Sequence, residues 1–237
     1  MPTSRFPRRR TWLIALVLGA LVAVVAGPWL YFNVLRDDPP ARLSLDDVTT
    51  TTSSAGTTPV VPADGGIEGT WMVVAGSEAG YRATEVLFGQ SGEAVGRTSE
   101  ISGVLTIDGP TVTAVDVSVL MGTVTSDESR RDGQFRGRIM DTATYPTATF
   151  SLTAPIELGV VPADGVDTTY TATGDLTLRG VKRSVTFELT ARRTATSITA
   201  SASIPIDFDD FDIPDASGGP ASVGRDGELE LLLVLGR

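Results

Sequence analysis

From residue 67 to the C-terminus, apolar and polar side chains exchange places almost residue by residue. A period of two puts alternate side chains on opposite faces and describes a half-buried β-strand. Val115, Val117, Val119 and Met121 are apolar, while Asp116 and Ser118 between them are polar and Leu120 breaks the rule. Val185, Phe187 and Leu189 alternate with Ser184, Thr186, Glu188 and Thr190, and Phe150 and Leu152 with Ser151 and Thr153. Ile198, Ala200, Ala202, Ile204 and Ile206 alternate with Thr199, Ser201 and Ser203. Asp108-Gly109-Pro110, Asp164-Gly165 and Asp226-Gly227 read as turns. The pattern predicts eight or nine antiparallel strands spaced as in a sandwich or barrel. One stretch departs from it. Ser126 can cap a short helix, with Asp127 and Glu128 in its first turn and Arg136 and Arg138 late, where the helix dipole favours cations. Phe135 and Ile139 fall on one face of that helix, Gly133 and Gly137 weaken it, and Arg130 and Arg131 with Asp132 read as a salt-bridge set on its surface.

The chain ahead of the strands divides by composition. Residues 1–10 form a basic tail with Arg5, Arg8, Arg9 and Arg10. Residues 11–35 carry no charge over 25 positions, enough to cross a bilayer core of about 30 Å. Trp12 stands near one end and Trp29 and Tyr31 near the other, as interfacial anchors do. Arginines before the stretch and Asp37-Asp38 after it predict a single-pass anchor in the cell membrane, with a cytoplasmic N-terminus and an extracytoplasmic C-terminal domain. A cleaved signal peptide is the rival reading. Against it stand the length of the apolar stretch and Pro28, just after the small-residue site ending at Ala26. Residues 36–68, rich in Thr, Ser, Pro, Gly and Asp, read as a disordered linker. The folded domain is expected over residues 69–237.

Composition narrows the chemistry. There is no cysteine and no histidine, which removes disulfides, thiolate or imidazole metal sites, thiol catalysis and Ser-His-Asp catalysis. Beyond residue 35 the 29 acids face 15 bases, a net charge of -14, the wrong sign for nucleic acid. Asp207, Asp209, Asp210, Asp212 and Asp215 crowd one segment, but the glycine and glutamate of an EF-hand loop are missing, so no metal is expected. Carboxylate pairs alone do not mark a glycosidase cleft. Lys182, the single lysine, lies in the charged turn 179–183 and reads as a surface residue; no phosphate-binding loop is present. No catalytic residue and no cofactor are expected.

Two segments carry a family resemblance. Residues 132–150 read DGQFRGRIMDTATYPTATF and residues 174–187 read GDLTLRGVKRSVTF. Together with DDFDI at 209–213 and ELEL at 228–231, they resemble the YceI-like family over about residues 69–237. The family commonly carries a histidine in the strand matched by residues 81–85, where this chain has Glu85, and a proline where it has Ser184. The resemblance implies an all-β fold, an antiparallel eight-stranded lipocalin-like barrel with one short helix. It also implies a long apolar lumen for a polyisoprenoid or quinone-like lipid. The apolar faces then supply lumen candidates: Tyr81, Ala83, Leu105, Ile107, Val117, Val119, Met121, Phe150, Leu152, Leu176, Leu178, Phe187 and Leu189. Phe135, Ile139 and Met140 are candidates for the barrel mouth. The expected partners are an isoprenoid lipid and, through the N-terminal helix, the cell membrane. The alternative is an envelope interaction module that uses the barrel as a scaffold and binds no lipid.

Overall fold

In the computed structural model, residues 39–50, 66–218 and 221–237 are described. They hold twelve strand segments: β1 (Gly69–Val73), β2 (Glu78–Leu87), β3 (Gln90–Thr98), β4 (Ile101–Asp108), β5 (Thr111–Leu120), β6 (Thr125–Ser126), β7 (Thr147–Ala154), β8 (Ile156–Glu157), β9 (Asp167–Leu178), β10 (Val181–Arg193), β11 (Ser197–Asp207) and β12 (Ala221–Gly236). Four pairs of segments act as single bent strands. Both β1 and β2 pair with β12. Next to them, β4 pairs with β1 while β3 pairs with β2. Continuing around, β5 pairs with β4 and β6 with β3, and both β7 and β8 pair with β5. With β9, β10, β11 and β12 this makes eight antiparallel walls, each beside its neighbour in sequence. The ladder of β12 with β1 and β2 closes them. The expected eight-stranded barrel is therefore what forms, and closure leaves no long free edge.

The alternation expected in β5, β7, β10 and β11 is the alternation of inward and outward faces. Irregular registers at Thr106/Ile107, Leu152/Ala154 and Val223/Gly227 bend the walls. The last of these corrects an expectation. Asp226-Gly227 is not a turn between strands but part of β12, at its bulge against β2.

The single helix forms, with a different start. Ser126 belongs to β6, and the N-cap is Glu128, whose carboxylate accepts from the Arg130 backbone N–H at 3.1 Å. Helix α1 (Ser129–Gln134) continues as a π-helical turn through Phe135–Ile139. Arg131 bonds to Asp127 and Glu85 rather than joining Asp132 in a surface set. Asp132 instead accepts from the Ser126 backbone N–H at 2.8 Å and from its hydroxyl at 2.7 Å.

Part of the expected linker is ordered. Residues 45–50 form a 3-10 turn (Leu45–Thr50) that packs on β10 and β11, with Leu45 buried. Arg42 bonds to Glu228, Asp46 to Arg192 at 3.0 Å, and Arg97 donates to the Ala41 carbonyl. Residues 41–47 thus form a strap across the outer wall. Proline, serine and aspartate content hides such a segment, because one buried leucine and two ion pairs suffice to hold it. The end of the expected linker is ordered too: Ile67 is buried, and Arg237 donates to the Gly66 and Glu68 carbonyls. Residues 36–38 and 51–65 of that linker, the basic tail and the charge-free stretch at 11–35 lie outside the described residues. Among the described residues no helix is long and apolar enough to cross a membrane.

Candidate functional site

The inside of the barrel is apolar along its length and organised as two clusters. Near the end where the barrel's first strand begins and the chain terminates, Trp71, Ile107, Val112, Val117, Ile156, Ala172, Phe187, Ile204, Leu233 and Leu235 pack with Ile67. Trp71 donates from its indole to the Ile67 carbonyl at 2.9 Å, and the Arg237 guanidinium lies 4.3 Å from its ring centroid. That end is sealed. At the other end, Met121, Val124, Phe135, Met140, Ala148, Leu176, Leu178, Ile206, Phe211 and Ile213 form the second cluster under α1 and the π-helical turn. Phe135 and Met140 are buried in this cap and Ile139 packs against it. These are the three residues named for the barrel mouth, and all three lie in this cap.

Between the clusters lies a belt of different character. Val119, Phe150, Val185 and Leu229 pack against both clusters yet are only half-buried. They stand on β5, β7, β10 and β12, four walls around the barrel, and point inward. A side chain inside a closed wall keeps accessible surface only where the interior is not filled. Leu105, Leu152, Leu189, Tyr170, Ile198, Ala202 and Leu231 are half-buried in the same way.

Of the thirteen lumen candidates, Tyr81, Leu105, Val119, Phe150, Leu152 and Leu189 are half-buried. Ala83, Ile107, Val117, Met121, Leu176, Leu178 and Phe187 are buried. Val185, Tyr170, Ile198, Ala202, Leu229 and Leu231 were not singled out. Leu229 was legible from the alternation of Glu228-Leu229-Glu230-Leu231; beyond it the signal is masked, because β12 is apolar at every position from 231 to 235. Leu232 and Val234, which face outward, are nevertheless buried.

Aromatic rings shape the interior, and glycines make room for them. Phe150 meets Phe187 edge-on, with centroids 5.4 Å apart and planes at 66°. A Cβ on Gly174 would stand 2.4 Å from Phe150 Cζ, so the glycine that opens the 174–178 motif is required for that ring. Tyr81 stacks on Phe135 at 5.1 Å, and a Cβ on Gly96 would stand 2.4 Å from Tyr81 Cε1.

Polar groups gather at the capped end. Glu85, inward-facing on β2 and buried, accepts from Arg131 at 3.1 Å, and Arg131 also bonds to Asp127. These residues are 46 positions apart, so no local pattern announces the pair. Burial, followed by the opposing influences of Arg131 (lowering) and Asp132, Asp127 and Glu85 (raising), pushes the Tyr81 phenol up to about 12. It is protonated at neutral pH and its O–H is a donor.

The remaining polar motifs are structural. Asp209 bonds to Arg225, Asp215 accepts from the Ser217 N–H at 2.8 Å, and the Asp212 carbonyl accepts from Arg179 at 2.6 Å. Lys182 is exposed and lies 3.4 Å from Asp175. On the outer wall Arg82 and Glu230, both nearly fully buried, pair at 2.7 Å, and a polar cleft of about 360 Å³ opens beside them.

This architecture recurs in solved structures. A polyisoprenoid-binding domain from Saccharophagus degradans, implicated in plant cell wall breakdown, is similar with a TM-score of 0.57 and 17% identity, covering 70% of this chain and 97% of that one. BcnA of Burkholderia cenocepacia is similar with a TM-score of 0.54 and 21% identity, covering 68% of this chain and 98% of that one. No curated protein matches the sequence. The YceI-like domain family matches residues 71–235, a span running from Trp71 in β1 to Leu235 in the closing ladder. The chain belongs to the YceI-like family.

Proposed function

We propose that the protein binds one isoprenoid lipid, with its chain in the barrel lumen, and does so from an anchored position on the outer face of the cell membrane. The observation that carries this reading is the belt of half-buried, inward-facing apolar side chains at mid-barrel, Val119, Phe150, Val185 and Leu229. An eight-stranded barrel has room for side chains or one slender ligand. A prenyl chain presents only hydrocarbon, and each buried methylene contributes roughly 0.8 kcal/mol, so several isoprene units bind without catalytic machinery. The lipid-binding function named for the Saccharophagus domain is consistent with this assignment. The anchor and the extracytoplasmic location rest on the charge-free stretch at 11–35 and the arginines before it.

Native mass spectrometry of the full-length chain, followed by organic extraction, tests the reading. A one-to-one adduct that extracts as a prenyl lipid is expected. A chain that remains apo after incubation with quinones and polyprenols sinks the proposal and favours the envelope interaction module.

A further inference from the structure

Given the lumen reading above, we infer that the Tyr81 hydroxyl is the specificity contact at the capped end of the barrel, and that it selects an uncharged, oxygen-accepting headgroup such as a quinone carbonyl over a diphosphate.

Tyr81 stands on the inward face of β2 between the small residues Ala79 and Ala83. Its ring is held on one side by Phe135, 5.1 Å away and within 10° of parallel, and on the other by the backbone at Gly96. The position of the hydroxyl is thus set by packing. That hydroxyl makes no hydrogen bond with any other described residue, although every charged group near it is engaged. Arg131 is shared between Glu85 and Asp127, and Asp132 is occupied by Ser126. A half-buried O–H without an acceptor is a donor awaiting one.

The surrounding charge decides which acceptor fits. Glu85, Asp127 and Asp132 are three carboxylates around one arginine, and Glu85 and Asp132 are nearly fully buried. A diphosphate placed there meets like charge in a poorly solvated site, and the one nearby cation is already bound. A carbonyl adds no charge and completes the Tyr81 hydrogen bond. Glu85 thus excludes anions by holding Arg131.

The test uses full-length protein, stripped of lipid and held in amphipol, with three probes that share a twenty-carbon isoprenoid chain. Phylloquinone carries a quinone, phytane carries no headgroup, and geranylgeranyl diphosphate carries an anion. Bound probe is counted by native mass spectrometry. The wild-type chain is expected to prefer phylloquinone over phytane by about tenfold, the worth of one good hydrogen bond, and to take the diphosphate least well. Tyr81→Phe keeps the stacked ring. It is expected to erase the phylloquinone preference and leave phytane binding unchanged. Glu85→Gln removes one of the three carboxylates and one of the two carboxylate partners of Arg131, and is expected to raise diphosphate binding relative to phytane. Equal binding of phylloquinone and phytane by the wild type overturns the inference while leaving the lumen reading intact. So does a preference that survives in Tyr81→Phe. Failure of all three probes, phytane included, overturns the lumen reading and this inference with it.

Discussion

The Tyr81 ring lies parallel to that of Phe135, 5.1 Å away, and its opposite edge rests on Gly96, its cross-strand partner. One face of this sandwich belongs to the wall and the other to the cap, so the contact couples the helix turn to the barrel. A methyl at position 96 would meet Tyr81 and force the ring off its place. Gly96→Ala is expected to cost about 1–3 kcal/mol by overpacking, read as a lower midpoint in urea denaturation. A midpoint equal to wild type would show that the ring moves freely.

Phe135 is the largest side chain of the cap that also touches the lumen wall. Phe135→Ala removes a buried ring at the mouth and is expected to cost about 3 kcal/mol. It also unroofs the interior, so exchange of a bound prenyl probe is expected to accelerate. Stopped-flow displacement measures this, and an unchanged release rate would place the entry route elsewhere.

Val185 supplies a way to distinguish an open interior from a filled one. In a filled core, Val185→Trp overpacks and costs about 1–3 kcal/mol. With space at mid-barrel, the indole occupies it. The expected result is a thermal midpoint near that of wild type, together with loss of prenyl-chain binding.

Arg82 and Glu230 are an ion pair buried on the outer wall, joined by Glu93 on one side and Arg97 on the other. Glu230 is the more buried of the two carboxylates that Arg82 holds, and Arg97 shares it. Glu230→Gln keeps the Arg82–Glu93 pair but loses this shared carboxylate, and is expected to cost about 3 kcal/mol, measured by chemical denaturation. A loss below about 1 kcal/mol would mean that water reaches the pair.

The strap carries a pH dependence whose sign follows from Glu228. Arg42, then Ser203, holds the Glu228 carboxyl below its usual range. A depressed folded-state pKa contributes stability that is complete above the unfolded carboxylate value, about 4.3, and is lost as pH falls through the folded value. Asp167, held low by Arg192, acts in the same direction at the other end of the strap, where Arg192 also binds Asp46. Hydrogen exchange in residues 41–47, corrected for intrinsic rates, is expected to be slow at pH 7 and to rise below about pH 4. Glu228→Gln should raise exchange at pH 7 and flatten its pH dependence. Equal protection at both pH values in the wild type would refute the coupling.

What was legible in the sequence was whatever depends on near neighbours. The inward and outward faces of β5, β7, β10 and β11 follow from alternation, since successive side chains in a strand must point opposite ways. The helix was legible from its charges and from Phe135 and Ile139, though its cap was misplaced: Ser126 is a preferred cap type, yet its N–H and hydroxyl go to Asp132 and Glu128 takes the cap position. Alternation left sandwich and barrel both open, since either hides one face of each strand; the barrel was implied by the resemblance carried by residues 132–150 and 174–187.

The tertiary structure decided what depends on residues far apart in the chain. Asp226-Gly227 has turn chemistry, yet pairing with β2 carries the strand straight through it. Residues 41–47 have the composition of a coil, yet Glu228 and Arg192 give them anchors. Glu85 and Arg131 meet only because closure brings β2 beneath the helix cap, and Tyr81 finds its place only where Gly96 and Phe135 converge. Periodicity assigns a side chain to a face. Which surfaces are then covered, and which charges are left to meet, is set by register and closure, and these are properties of the whole ladder.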